Sequence, residues 1–202
     1  MFSNRNPLVI ALSFVLFVST EIEAAGGATA DRLQSCDAKV AISAAEEVTK
    51  GKAHLQEPVL LLRAAAAFYQ NGRREDAVFW YFAGHLRTRQ QMVVDGRAPV
   101  GFAEAVMIGQ RISVYGQSDA ARLDAVLGRV LEWDAKTANI YVEKAKGVSD
   151  HSKQIENLYA EYAAFRVILS TEKSFSEGQH KGAAGQMDRE YEKHFGSRCR
   201  GG

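Results

Sequence analysis

The chain has 202 residues, 47% hydrophobic and 24% charged, with 25 Lys and Arg against 24 Asp and Glu for a net charge of +1. That composition is globular and leaves room for one domain. It excludes a disordered chain, a collagenous repeat, a disulfide-dense miniprotein and a strongly basic nucleic-acid binder.

Arg5 precedes an apolar run from Leu8 to Val18, broken only by Ser13. The run is shorter than the roughly 20 apolar residues that a bilayer span needs. With the small residues Ala24-Ala25-Gly26 behind it, it reads as a secretory signal peptide cleaved after Ala24 or Ala25. The expected organisation is a signal peptide over 1–25 and a single all-helical domain over 26–202, with no membrane span after cleavage. A short uncleaved anchor is the competing reading. Leu33-Gln34-Ser35-Cys36 resembles a lipobox, but Glu21, Glu23 and Gly26-Gly27 separate it from the apolar run, so lipidation is not expected.

Cys36 and Cys199 both survive cleavage, and an exported chain meets an oxidising compartment. One disulfide joining the two ends is the expected use, worth about 4–5 kcal/mol in the chain-entropy account of a loop this long. Two free thiols are the alternative.

Apolar residues Leu33, Cys36, Val40, Ala44 and Val48 recur at helical spacing, which predicts a first helix from Ala30 to about Lys50, capped by Thr29 or Asp31. Pro58 then suits a first helical position, and Val59 to Tyr69 is apolar almost all round apart from Arg63, as in a helix buried on several sides. Asn71-Gly72 stops it. A further helix from Ala77 to about Gln91 follows at once, so the two form an antiparallel pair. Helices are also expected over Ala103–Val114, Ala120–Trp133 behind a Ser118 or Asp119 cap, Ser149–Leu169, and Ala183–Phe195. Ser170 to Gly185 reads as a loop. No stretch alternates as a half-buried strand does, so the fold class is an all-α bundle of about six or seven helices.

Over Pro58 to Gln91, Ala65, Phe68, Gly72, Ala77, Tyr81 and Gly84 fall where a tetratricopeptide repeat has its small, aromatic and turn residues. The pair therefore resembles a tetratricopeptide-like hairpin. Leu61 and Arg89 depart from the pattern, standing where a large aromatic and a closing proline are usual. A weaker echo, Gly109, Ile112, Gly116, Ala121 and Gly128, follows 44 residues later. The resemblance implies close helix crossing at Ala65 and Gly84, with Phe68 and Tyr81 between the helices, and a groove for a peptide or partner helix.

The segments from Glu75 to Arg87 and from Val130 to Asn139 resemble an uncharacterised family of exported bacterial proteins, with Ala138 where that family has Pro. This resemblance implies a bacterial envelope setting, periplasmic or secreted, and supplies no catalytic residue.

Phe79-Trp80-Tyr81-Phe82 wraps every face of its helix, so Phe79 or Trp80 is a candidate to face a partner, although burial by other helices is the simpler account. Arg63, Arg73, Arg74, Arg87, Arg89 and Arg97 lie near His85 with no lysine between positions 58 and 100. They suggest a locally basic surface for an acidic partner, against local pairs such as Arg73 with Asp76. The five histidines show no paired metal spacing, and Glu190 with His194 is the one local pair. No nucleophile motif, metal site or cofactor motif is read.

The sequence thus points to an exported protein-binding module, immunity-like or inhibitor-like, whose oligomeric state it does not specify. Its expected groove is lined by the Ala77–Gln91 helix, with Trp80 as anchor, Phe79 as a further binding candidate, and Arg87 and Arg89 as polar rim. The alternative is an enzyme acting on cell-wall material through carboxylates that converge from different helices.

Overall fold

The computed structural model describes residues 28–52, 55, 57–171 and 177–194, with the side chains of 182–190 and 193 in the last helix. A helical stretch over 28–33 leads into α1 (Ala38–Lys50), α2 (Val59–Gln70), α3 (Arg74–Asp95), α4 (Phe102–Gln117), α5 (Ala120–Lys136), α6 (Ile140–Ala145), α7 (Ser149–Thr171) and α8 (Glu177–His194). The fold is an all-α bundle.

Local chemistry sets the boundaries. The Asp37 carboxylate accepts from the backbone N–H groups of Lys39 and Val40, satisfying the open first turn of α1. Asp119 does the same for α5 through Arg122, and Asn139 for α6 through Tyr141 and Val142. Pro58 precedes α2, and Gly72 turns the chain toward α3 with φ +81°, a conformation that costs glycine little.

Helix α2 is the centre of the bundle. Every side chain from Val59 to Tyr69 except Arg63 is buried, because α1, α3 and α4 all pack on it. Helix α3 approaches closest at Gly84, where a Cβ would stand 2.9 Å from both Leu61 Cβ and Leu62 N. Tyr81 points to α4: a Cβ on Gly109 would lie 2.2 Å from its Cε2 atom, so that glycine makes room for the ring. Gly116, two turns further along α4, faces Val78 and Phe82 of α3. The hairpin expected over 58–91 is present, but Tyr81 fills the space toward the next helix rather than the space inside the pair.

Three expectations need correcting. The first helix is broken, since residues 34–37 turn the chain and Asp37 restarts it, so the cap is neither Thr29 nor Asp31. Helix α6 was not foreseen, and eight helices with described bounds replace the expected six or seven. The loop read over 170–185 is largely helical, α7 running to Thr171 and α8 beginning at Glu177. The expected signal peptide and Cys199 lie outside the described residues. Among the described residues, no helix is long and apolar enough to cross a membrane.

Candidate functional site

Helices α3 and α5 meet along a polar seam that is closed to solvent. Arg87 is 1% exposed and Asp134 3%. The Arg87 guanidinium donates from Nε to Asp134 Oδ1 at 2.6 Å, and its two other nitrogens reach the carbonyls of Ala138 (2.7 Å) and Thr137 (3.2 Å). Asn139 also donates to Asp134 Oδ1, at 3.2 Å. The second carboxylate oxygen accepts from Gln90 (3.1 Å) and from the Tyr159 hydroxyl (2.6 Å). Asn139 in turn donates to Gln90 Oε1 at 2.7 Å.

A buried ion pair is tolerable when its remaining lone pairs and protons are also satisfied. Here four donors surround the carboxylate, and they come from α3, from the turn into α6 and from α7. Burial, then the bond to Asp134, pushes the Tyr159 phenol well above its ordinary range, so it stays a donor. The seam ties three helices and the α5–α6 turn into one unit. Ala138 takes part through its carbonyl while its side chain is exposed.

Arg87 therefore drops out of the polar rim expected from the sequence: its charge is spent inside the protein. Its guanidinium lies 4.4 Å from the centre of the Trp133 ring. Above that ring the seam opens into an aromatic cluster. Trp133 meets Trp80 edge-on at 5.4 Å and Phe79 at 6.2 Å, and Phe79 meets Trp80 at 4.8 Å. All three rings are half-buried, and exposed Arg129 lies 5.7 Å from the Phe79 ring. Two of the four expected site residues, Phe79 and Trp80, thus come together, with Trp133 and Arg129 as partners that the sequence reading did not select.

Arg89 lies elsewhere. It pairs with Glu161 of α7 at 2.7 Å, on the rim of a groove of about 340 Å³ that Met92, Val93, Gln154, Asn157 and Leu158 complete. Nine residues separate Trp80 from Arg89, which is two and a half helical turns, so the two project from opposite faces of α3. A single groove cannot use both.

The other arginines are dispersed in the same way. Arg63 faces Glu104 at 3.8 Å, Arg73 is held by Glu46 and Asp76, and Arg74 reaches Asp188 at 3.2 Å. Arg97 is exposed. The basic surface expected between positions 58 and 100 is mostly a set of pairs between helices. His85 stacks on Tyr81 and lies 3.4 Å from the Tyr162 hydroxyl, and burial lowers its pKa. Among the described residues, no group of three or more His, Cys, Asp or Glu is placed to hold a metal ion. No protein family, curated relative or solved structure matches the chain.

Proposed function

We propose that this chain is an exported bacterial protein-binding module, of the kind that serves as an immunity or inhibitor protein in the envelope, and that it binds through the face formed by Phe79, Trp80 and Trp133. The observation that carries the reading is the cluster itself. Three large rings from two helices are gathered at the edge of the core, each only partly buried, with an exposed cationic side chain beside them. Aromatic and arginine side chains in partly desolvated patches are the usual anchors of protein interfaces. Arg129 takes the rim role in place of Arg87. The seam beneath holds Trp133 in place, so the face is offered with little ordering cost on binding.

Export is part of the proposal and rests on the Leu8–Val18 run and the small residues behind it. So does a Cys36–Cys199 bridge, supported by the absence of a free cysteine among the described residues. The cell-wall enzyme reading needs converging carboxylates in a cleft. The α3–α7 groove offers Glu161 as its one lining carboxylate, and Arg89 already holds it.

The test is capture of crosslinked partners by the oxidised mature protein in its own envelope, with Trp80→Ala and Arg129→Ala compared at matched folding by circular dichroism. One stoichiometric partner, retained by the wild type and weakened about tenfold or more by Trp80→Ala, is the expected result for an anchor residue. Equal retention by the folded variants refutes the assignment of this face.

A further inference from the structure

The one Asn-Gly step in the chain, Asn71-Gly72, stands at the turn between α2 and α3. An asparagine before glycine is especially open to self-attack, because the following residue has no side chain to shield its backbone nitrogen. That nitrogen can close on the side-chain Cγ as a five-membered ring. A bond forms from Gly72 N to Asn71 Cγ, the Cγ–Nδ2 bond breaks, and Nδ2 leaves as ammonia with the proton that Gly72 N gives up. Water then opens the succinimide at either carbonyl, leaving aspartate or isoaspartate at position 71.

In the folded protein each reacting group is held elsewhere. Gly72 N–H donates to the Tyr69 carbonyl at 3.2 Å and Arg73 N–H to that of Phe68 at 2.9 Å, the pair of bonds that closes a helix around a left-handed glycine. The leaving amide is engaged as well, since Asn71 Nδ2 donates to the Ala67 carbonyl at 2.8 Å. With ψ 22° at Asn71, the Gly72 nitrogen lies on the far side of the Cα–C bond from Cβ. The ring therefore cannot close until this bond rotates and the turn breaks. Phe68 and Tyr69, both buried in the core directly before the turn, make that opening costly.

The product cannot be held as asparagine is. A carboxylate has no N–H for the Ala67 carbonyl, and it sets its charge against the carbonyl end of α2, where the helix dipole is negative. The neighbouring Arg73 is already committed to Glu46 and Asp76, and Arg74 to Asp188. Isoaspartate also adds a methylene to the main chain inside the turn, ahead of both N–H donors that close it.

We infer that Asn71 is a spontaneous modification site gated by the α2–α3 turn, where deamidation follows opening and then makes opening easier. The turn is a ratchet: a molecule that converts while open closes less firmly afterwards, so time spent open is recorded and not reversed. The site lies apart from the aromatic face and stands or falls without it.

The test incubates the full chain in mildly alkaline buffer, with and without denaturing urea, and follows the amide-to-acid mass change and isoaspartate by peptide mass spectrometry. In urea Asn71 should convert ahead of Asn139 and Asn157, which are followed by Ile140 and Leu158. In the folded chain its rate should fall by about a hundredfold or more, the turn being open in at most roughly one molecule in a hundred. Asn71→Asp carries the product charge in an ordinary main chain. It should lower the melting midpoint by about 2–4 °C and speed hydrogen exchange at the Gly72 and Arg73 amides. Asn71→Ala loses the same side-chain hydrogen bond without gaining the charge, and its midpoint should fall between the two. Equal rates folded and unfolded, conversion in urea no faster at Asn71 than at the other two asparagines, or an Asn71→Asp chain no less stable than the wild type or Asn71→Ala overturns the inference.

Discussion

Replacing Asp134 by Ala should be among the most damaging single changes in the bundle. The carboxylate is 3% exposed and accepts four hydrogen bonds, from Arg87, Asn139, Gln90 and Tyr159. Its removal leaves a buried guanidinium whose neutralising partner is gone, and removing one member of a buried pair typically costs about 3–5 kcal/mol. For a domain of this size each kcal/mol lowers the melting midpoint by about 2–4 °C, which puts the loss at about 6–20 °C.

The reverse change, Arg87→Met, should cost a similar amount for a different reason. It frees the carboxylate, and it also strands the Thr137 and Ala138 carbonyls that Arg87 now serves. The double variant Arg87→Met with Asp134→Leu removes both charges, so its cost should fall below the sum of the two by about 0.5–3 kcal/mol, the range for residues in contact. Urea unfolding of the four proteins gives the cycle. A loss below about 1 kcal/mol for Asp134→Ala, or additivity within about 0.5 kcal/mol, would refute the view that this pair is a buried and mutually dependent one.

Gly109→Ala should lower the melting midpoint through overpacking, by about 1–3 kcal/mol, because the new Cβ would stand 2.2 Å from Cε2 of the buried Tyr81 ring. Gly147→Ala is its control, since nothing lies within 4 Å of a Cβ there, and equal midpoints for the two variants would contradict the close approach of α3 and α4. Stability should also fall in alkali. Burial raises the phenols of Tyr69 and Tyr141 to about 12, and those of Tyr159 and Tyr162 upward as well. Above about pH 10 the unfolded chain has lost these protons while the folded one keeps them. The stabilisation is therefore complete below pH 10 and is lost as pH rises toward 12. The urea midpoint should be level to about pH 9 and then decline, and a midpoint that stays level to pH 12 would show that these phenols are no less solvated folded than unfolded.

Helix class, the turn at Gly72, the Asp119 cap and the buried character of α2 were all legible in local sequence. These features depend on residues within one turn of each other. Arg87 was misread because its partner lies 47 positions away, and no local spacing announces a pair that exists only once α3 and α5 meet. A signal was nevertheless present: Arg87 follows Ala83 by one turn and lies beside Leu86 and Gln90, all of them buried. The opposition of Trp80 and Arg89 could also have been read from their separation alone. The short α6 was missed for want of length, although Asn139 before Ile140-Tyr141-Val142 is an ordinary cap.

The segments Glu75 to Arg87 and Val130 to Asn139 meet across the seam. Arg87, Asp134 and Asn139 form its polar interior, and Trp133 closes it against solvent. Those residues explain themselves as structure, since each satisfies a neighbour that would otherwise be buried without a partner. Trp80 is different. It meets Trp133 edge-on, takes no part in the hydrogen-bonded interior, and is only partly buried. Truncating Trp133 would open the seam to water and confuse folding with binding, whereas truncating Trp80 leaves Arg87 covered. That makes Trp80 the residue whose loss can separate the two, and a binding defect there at unchanged stability would place function on the rim of the seam rather than inside it.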